Sequence, residues 1–180
     1  IIFIPCLWAC MHFEQSGNPF LDKLGIDQRS NVFQPGGNME GKEARFGIAD
    51  SAIWATATTA ASNGSVNCMH DSLNPLAGLT PLTGMWLNCI WGGVGVGLIN
   101  FLIYLVVGVF LAGLMVGRTP EYLGKKIGPT DMKLAMLSVL VLEASILIIA
   151  GIAVVYPPAA SAVLNSGPHG FSEILYAATS

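Results

Sequence analysis

The chain has 180 residues, of which 53% are hydrophobic and 11% charged, with a net charge of -3, a pI near 5.5 and a mean hydropathy of +0.61. Soluble globular domains carry about 25% charged residues, so this composition excludes a soluble domain and points to a membrane protein. The slightly acidic balance offers no electrostatic surface for nucleic acid.

Residues 1–12 read as the outgoing end of a membrane-spanning helix. Ile1-Ile2-Phe3-Ile4 opens directly in apolar sequence, without an initiating methionine or a signal-peptide pattern. As helix, Ile1 to Met11 covers about 16 Å, half of a hydrocarbon core of about 30 Å. The sequence therefore reads as a fragment. Residues 13–45 turn to Gly, Asn, Asp, Gln and Pro, with turn signals at Gly17-Asn18-Pro19 and Gln34-Pro35-Gly36-Gly37. They read as an extracytoplasmic loop, in which Glu14, Asp22, Asp27, Glu40 and Glu43 stand against Lys23, Arg29, Lys42 and Arg45 with no cytoplasmic bias of positive charge.

Residues 46–72 read as a re-entrant pore helix followed by a loop. Phe46 to Thr59 predicts a short apolar helix with Asp50 and Ser51 near its start. Its length of about 21 Å is too short to cross the membrane, so it enters and returns. The run Thr58-Thr59-Ala60-Ala61-Ser62-Asn63-Gly64-Ser65-Val66-Asn67 is small and hydroxyl-rich within an apolar chain. Irregular backbone at membrane depth needs protein or a water-filled cavity to satisfy its N–H and C=O groups. The helix C-terminus brings partial negative charge, and glycine lets carbonyls face a common axis, so a desolvated cation is the natural guest. The competing reading is a Ser/Gly-rich surface turn or an ordinary helix break.

Residues 83–117 read as a transmembrane helix with a Gly-rich break. No Asp, Glu, Lys or Arg occurs between Asp71 and Arg118, and Trp91 to Gly117 spans about 40 Å as continuous helix. Within it Gly92, Gly93, Gly95 and Gly97 crowd together. They read either as close helix packing or as a flexible gate beneath the cavity, and their adjacency favours the gate because packing needs small residues one turn apart. Residues 118–133 carry Arg118, Lys125, Lys126 and Lys133 against Glu121 and Asp131, and by the positive-inside rule form a cytoplasmic loop. The 13–45 loop and the mouth of the re-entrant stretch then face outward. Arg118, Glu121, Tyr122, Lys125 and Lys126 form a dense polar set suited to docking a partner. The alternative is a simple turn with Thr119 as N-cap and Pro120 at the first helical position of a short segment.

Residues 134–156 read as a second span, with Glu143 near its middle, either functional or else protonated or paired with a neighbouring helix. Residues 157–170 return to an extracytoplasmic loop with a turn at Ser166-Gly167-Pro168-His169-Gly170, and 171–180 begin a second pore helix. Phe171-Ser172 and Tyr176-Ala177-Ala178-Thr179-Ser180 match the earlier pore helix in kind. Cys6, Cys10, Cys68 and Cys89 lack CxxC spacing and read as packing residues. His12, His70 and His169 are each alone, which suits hydrogen bonding at interfaces rather than metal binding or general-base work. With no GxxxxGK[ST] loop and no DKTG-like motif, no catalytic residue is expected in this chain.

The plan is that of an all-α integral membrane protein of the potassium channel and transporter superfamily, built from span–pore helix–filter–span repeats. Asn38-Met39-Glu40-Gly41-Lys42-Glu43-Ala44-Arg45-Phe46-Gly47, Thr58-Thr59-Ala60-Ala61-Ser62, Met69-His70-Asp71-Ser72, Gly113-Leu114-Met115-Val116-Gly117-Arg118-Thr119-Pro120-Glu121-Tyr122-Leu123-Gly124-Lys125-Lys126 and Gly167-Pro168-His169-Gly170-Phe171-Ser172-Glu173 carry a specific likeness. By these motifs, over most of its length, the chain resembles the family of the potassium-binding subunit of the bacterial Kdp potassium-transporting ATPase. The resemblance implies four repeats around one filter, with this piece holding most of the third and the start of the fourth. It implies a potassium filter at Ala61, Ser62, Asn63, Gly64 and Ser65, with backbone carbonyls of Ser62, Asn63 and Gly64 as ligands. It also implies a catalytic P-type ATPase subunit that alone handles ATP, small accessory subunits, and residence in the bacterial inner membrane. The chain departs from the family pattern at Asn63, where Cys is usual, and at Glu143, where an apolar residue or proline is usual. The rival functions are a self-contained, gradient-driven potassium transporter or channel, and a membrane assembly protein without a pore.

Overall fold

Helices make up nearly all the regular structure of the computed structural model, which describes residues 1–87, 91–165 and 167–180 in two units, 1–94 and 95–180. Cys89 and Ser166, which the sequence reading uses, lie outside the described residues.

The first unit holds α1 (Phe3–Gln15), the single turn α2 (Pro19–Lys23), α3 (Gly47–Ala60), a 3-10 turn (His70–Ser72) and α4 (Pro75–Leu87). α1, α3 and α4 pack on one another. Their shared core is made of small and medium residues, Cys10, Ala52, Ala55, Cys68, Leu73 and Ala77, against which Met11 and Phe13 lean. Small side chains let helix backbones approach closely, the usual device of helix packing in membranes. α3 also buries Ser51, Thr56 and Thr59. Each of these hydroxyls donates back to a carbonyl of its own helix, at Gly47 (2.7 Å), Ala52 (2.9 Å) and Ala55 (2.9 Å). Satisfied in this way, they are buried without an orphaned donor.

A buried polar centre ties the unit together where α1 ends. Glu14 and Lys42 form an ion pair at 2.6 Å with both side chains 0% exposed. Asn38 Nδ2 donates to Glu14 Oε2 (3.0 Å) and to the Ser72 carbonyl (2.9 Å), while the Asn74 N–H donates to Glu14 Oε1 (2.7 Å). Asn74 Nδ2 donates to the carbonyls of Phe13 (2.7 Å) and Gly17 (3.0 Å). Beside it, Lys42 bridges Cys68, and the Met69 N–H donates to the Gly41 carbonyl at 2.8 Å. The end of α1, the long loop and the start of α4 therefore share one carboxylate, and Asn38 ties the segment after α3 to it. This corrects the placing of Glu14 in an aqueous loop: it is the last-turn residue of a helix, and the ion pair with its hydrogen bonds replaces water.

The second unit holds α5 (Val96–Val116), β1 (Glu121–Tyr122), β2 (Lys125–Lys126), α6 (Pro129–Val155), α7 (Pro157–Ser161) and α8 (Pro168–Thr179). α5 and α6 are the two helices among the described residues that are long and apolar enough to cross a membrane. At 1.5 Å per residue they run to about 32 and 40 Å. α6 packs against α5, α7 and α8.

Several boundaries differ from the sequence reading. α1 continues to Gln15, past residue 12, and α2 forms inside the 13–45 loop because the Asn18 side chain caps it, accepting from the Phe20 N–H at 3.0 Å. The expected span at 83–117 is two helices: α4 starts at Pro75 and runs through Pro81, and α5 starts only at Val96. Gly92 (φ 46°) and Gly95 (φ 84°) take left-handed backbone that a helix cannot contain, so Trp91 to Gly117 is not one continuous helix. Residues 121–126 are a β-hairpin rather than a segment begun by Thr119 and Pro120. Its two-residue turn, Leu123-Gly124, has both φ positive (50° and 75°), the geometry that suits a tight hairpin, and β1 and β2 pair antiparallel. α6 begins at Pro129, five residues before 134, because Asp131 Oδ2 accepts from the Gly128 N–H at 2.9 Å and Pro129 fits the first helical position. It stops at Val155 because Tyr156 precedes a proline and takes extended backbone. α7 occupies part of the 157–170 loop, and α8 starts at Pro168 rather than Phe171.

Removing one partner of a buried ion pair strands the other. Lys42→Met should lower the stability of the purified protein by about 3–5 kcal/mol in thermal unfolding. In the double variant Glu14→Gln with Lys42→Met the loss should fall short of the sum by ~1 kcal/mol or more. Strictly additive losses would show that the two side chains do not depend on each other.

Candidate functional site

The candidate site is the loop that leaves α3. α3 closes with the Asn63 N–H donating to the Thr58 carbonyl (2.9 Å) and the Ser62 N–H to the Thr59 carbonyl (3.4 Å). This is the paired 6→1 and 5→2 pattern of a Schellman motif, whose pivot residue lies in the left-handed region. The pivot here is Ser62, at φ 50°. α5 closes identically, with Arg118 N–H to Gly113 O (3.0 Å) and Gly117 N–H to Leu114 O (3.2 Å), but there the pivot is Gly117 at φ 71°. α3 thus ends on a strained serine where glycine is the easier choice, a kind of strain that gathers at functional loops.

Three side chains shape the loop beyond this pivot. Thr58 Oγ1 lies 2.7 Å from the Asn63 carbonyl oxygen and 2.8 Å from that of Ser65. Trp54 Nε1 donates to the same Ser65 carbonyl at 3.2 Å. The Asn63 side chain accepts from the Ser65 N–H at 3.0 Å, so its amide oxygen is engaged with its own loop. Of the three carbonyls expected as ligands, that of Asn63 is thereby turned toward α3. The Gly64 carbonyl has no hydrogen-bond partner among the described residues. Ala61 is half-buried, and Ser62, Asn63, Gly64 and Ser65 are exposed. A Cβ on Gly64 would meet no atom within 4 Å inside this chain, so the space before it is open.

The first part of the glycine cluster sits against this loop. Trp91 and Gly92 both donate their N–H groups to the Ala60 carbonyl, at 3.2 and 3.0 Å. A Cβ on Gly93 would lie 3.7 Å from Ser62 Cβ and 3.8 Å from the Ala61 oxygen. The Trp91 ring rests on Phe3, with centroids 4.3 Å apart. Gly95 and Gly97 belong to the second unit, Gly95 as the residue before α5 and Gly97 buried in its first turn.

Arg118, Glu121, Lys125 and Lys126 are exposed on or beside the hairpin, and Tyr122 is half-buried opposite Lys125. Glu143 is exposed on α6. Burial pushes the Cys68 thiol above its usual pKa and the His70 imidazole below its own, which favours the neutral form of each. Cys6, Cys10 and Cys68 are free thiols. His12 stacks on Trp8. Among the described residues no three His, Cys, Asp or Glu side chains gather as a metal site. The sequence reading missed Trp54, Thr58 and the Glu14–Lys42 centre. The first two were detectable as a pair one turn apart on a short helix, aimed at the same loop.

The family model for the potassium-transporting ATPase A subunit matches residues 1–180. The chain is 59% identical over 180 residues to the potassium-transporting ATPase potassium-binding subunit of Sorangium cellulosum, a match covering 99% of this chain and 31% of that relative. It is 55% identical over 177 residues to the subunit of the same name in Delftia acidovorans, covering 98% of this chain and 31% of the relative. With the Mycobacterium tuberculosis subunit of strain CDC 1551 it shares 54% identity over 181 residues, 100% of this chain and 32% of the relative. The chain thus spans about a third of the length of the curated relatives it matches.

The strained pivot makes an ordered prediction. A β-branched residue suffers most in left-handed backbone, so Ser62→Ile should lower thermal stability by roughly 1–2 kcal/mol while Ser62→Gly leaves it level or higher. The reverse order in thermal unfolding would show that the loop does not turn at Ser62.

Proposed function

The chain belongs to the potassium-transporting ATPase A subunit family, and from that premise we infer that its α3 end and the loop 61–65 bind potassium as cargo on the way through an ATP-driven uptake complex. The observation that carries the reading is the conjunction at α3: a helix of about 21 Å, too short to span, ends on an exposed loop whose Gly64 carbonyl has no hydrogen-bond partner among the described residues. The last turn of a helix carries roughly half a negative charge, which favours a cation that has shed water. Carbonyls of Gly64 and Ser62 act as ligands there. The Asn63 carbonyl is held by Thr58 instead.

Below the loop, the Trp91–Gly93 segment, tied to the Ala60 carbonyl, is the element an ion meets next, and its glycines allow it to move. No residue of this chain hydrolyses ATP; that step belongs to a catalytic P-type ATPase subunit, with small accessory subunits completing the assembly. The protein is multi-pass in the bacterial inner membrane, with α5 and α6 as spans, the 13–45 loop outside and the hairpin inside. It is organised as span–pore helix–filter–span repeats, α8 being the start of the next pore helix. The hairpin docks the ATPase subunit through Arg118, Glu121, Tyr122, Lys125 and Lys126.

Two experiments test this reading on the full complex. Gly64→Asp places a carboxylate in the ion's space and should abolish potassium uptake at limiting potassium; unchanged uptake removes the site. Tyr122→Ala with Glu121→Gln leaves the two-residue turn and the basic charges in place, yet should reduce co-purification of the ATPase subunit and weaken the coupling of ATP hydrolysis to potassium. Undiminished assembly and coupling would reduce the hairpin to a connection.

A further inference from the structure

Four hydroxyls on α3 have their hydrogen bonds described, and three of them bond backward. Ser51, Thr56 and Thr59 donate to the carbonyl four residues earlier, the ordinary resting place of a helical Ser or Thr. Thr58 does not. Its Oγ1 reaches forward five and seven residues, to the carbonyls of Asn63 (2.7 Å) and Ser65 (2.8 Å). A hydroxyl has one proton, so two carbonyl dipoles converge on a single shared donor. Trp54, one turn earlier, adds its indole N–H to the Ser65 carbonyl. The Asn63 side chain closes the turn from within the loop.

We propose that Thr58 and Trp54 are positioning residues that withdraw the Asn63 and Ser65 carbonyls from the ion and so set the ion preference of the loop. The proposal rests on the reading of 61–65 as the potassium site. Selectivity among monovalent cations depends on how many carbonyls surround the ion and how firmly they are held. With Thr58 in place, the Gly64 carbonyl stands between two neighbours that are both committed to α3. Without the Thr58 proton, the Asn63 carbonyl loses its donor and becomes free to swing into the ion's space, while the Ser65 carbonyl is held by Trp54 alone. The number of ligands is then no longer fixed, and a larger ion such as rubidium competes better.

The test uses the complete ATP-driven complex in vesicles, with uptake of potassium and of rubidium measured separately. Thr58→Val keeps the shape of the side chain and removes the proton; Thr58→Ser keeps the proton. Thr58→Val should raise KM for potassium about five- to tenfold, the scale of one lost buried hydrogen bond, and narrow the potassium-to-rubidium ratio at a near-parental maximal rate. Thr58→Ser should restore both. An unchanged KM and ratio in Thr58→Val, or a fall in maximal rate alone, overturns the proposal. If Thr58→Val does not assemble, Trp54→Phe decides: a shift of KM and ratio in the same direction supports the clamp, and none overturns it. Failure of the site itself shows separately, as normal uptake by Gly64→Asp.

Discussion

The first unit depends on one carboxylate. Glu14 is wholly buried, and its two oxygens receive the Lys42 ammonium, the Asn38 amide and the Asn74 backbone N–H. Charges are taken out of water only when every lone pair finds a donor and the partner charge is close. Here that condition recruits groups from the end of α1, the long loop and the start of α4. The 13–45 segment, rich in glycine and turn residues, would otherwise have little reason to settle in one shape. Its path is fixed where it passes Glu14. The segment after α3 is fixed from the same side, through Asn38 to the Ser72 carbonyl and through Gly41 to Met69. The loop 61–65 is thus held at one end by α3 and at the other by strands of contact leading back to Glu14.

The same economy of polar groups governs α3. A helix of alanine, serine and threonine packs closely and still presents hydroxyls, because each hydroxyl can be satisfied by its own backbone. That arrangement lets a polar sequence sit among helices without water. It also leaves Thr58 available for a different use, and the loop takes its shape from that exception.

Much of this was legible in the residues, for reasons that differ by element. α5 and α6 are uninterrupted apolar runs, which length and composition reveal directly. Their starts were less visible. Pro129-Thr130-Asp131 reads as loop because it is polar, yet proline and an acidic side chain are what a helix start needs. α4 was hidden because Pro75 and Pro81 look like breaks, whereas buried Pro81 is accommodated inside a packed helix. The loop 61–65 stood out by composition. Its support did not: the bonds from Trp54 and Thr58 depend on the phase of α3 and on the turn at Ser62, neither of which composition encodes. The Glu14–Lys42 pair was hidden for a third reason. Charges near turn residues are usually solvated, and nothing local says which lysine will be brought to which glutamate.

The burial of Glu14 sets an order on assembly. Its partners arrive late in the chain: Asn38 24 residues on, and Asn74 60 residues on. Until residue 74 has been made, the carboxylate has no complete set of donors, and the end of α1 has to stay at the water boundary where solvent supplies them. α3 is synthesised in that interval. The packing of α3 against both α1 and α4 is therefore complete only when α4 begins, so a helix about 21 Å long waits for the first residues of the next one.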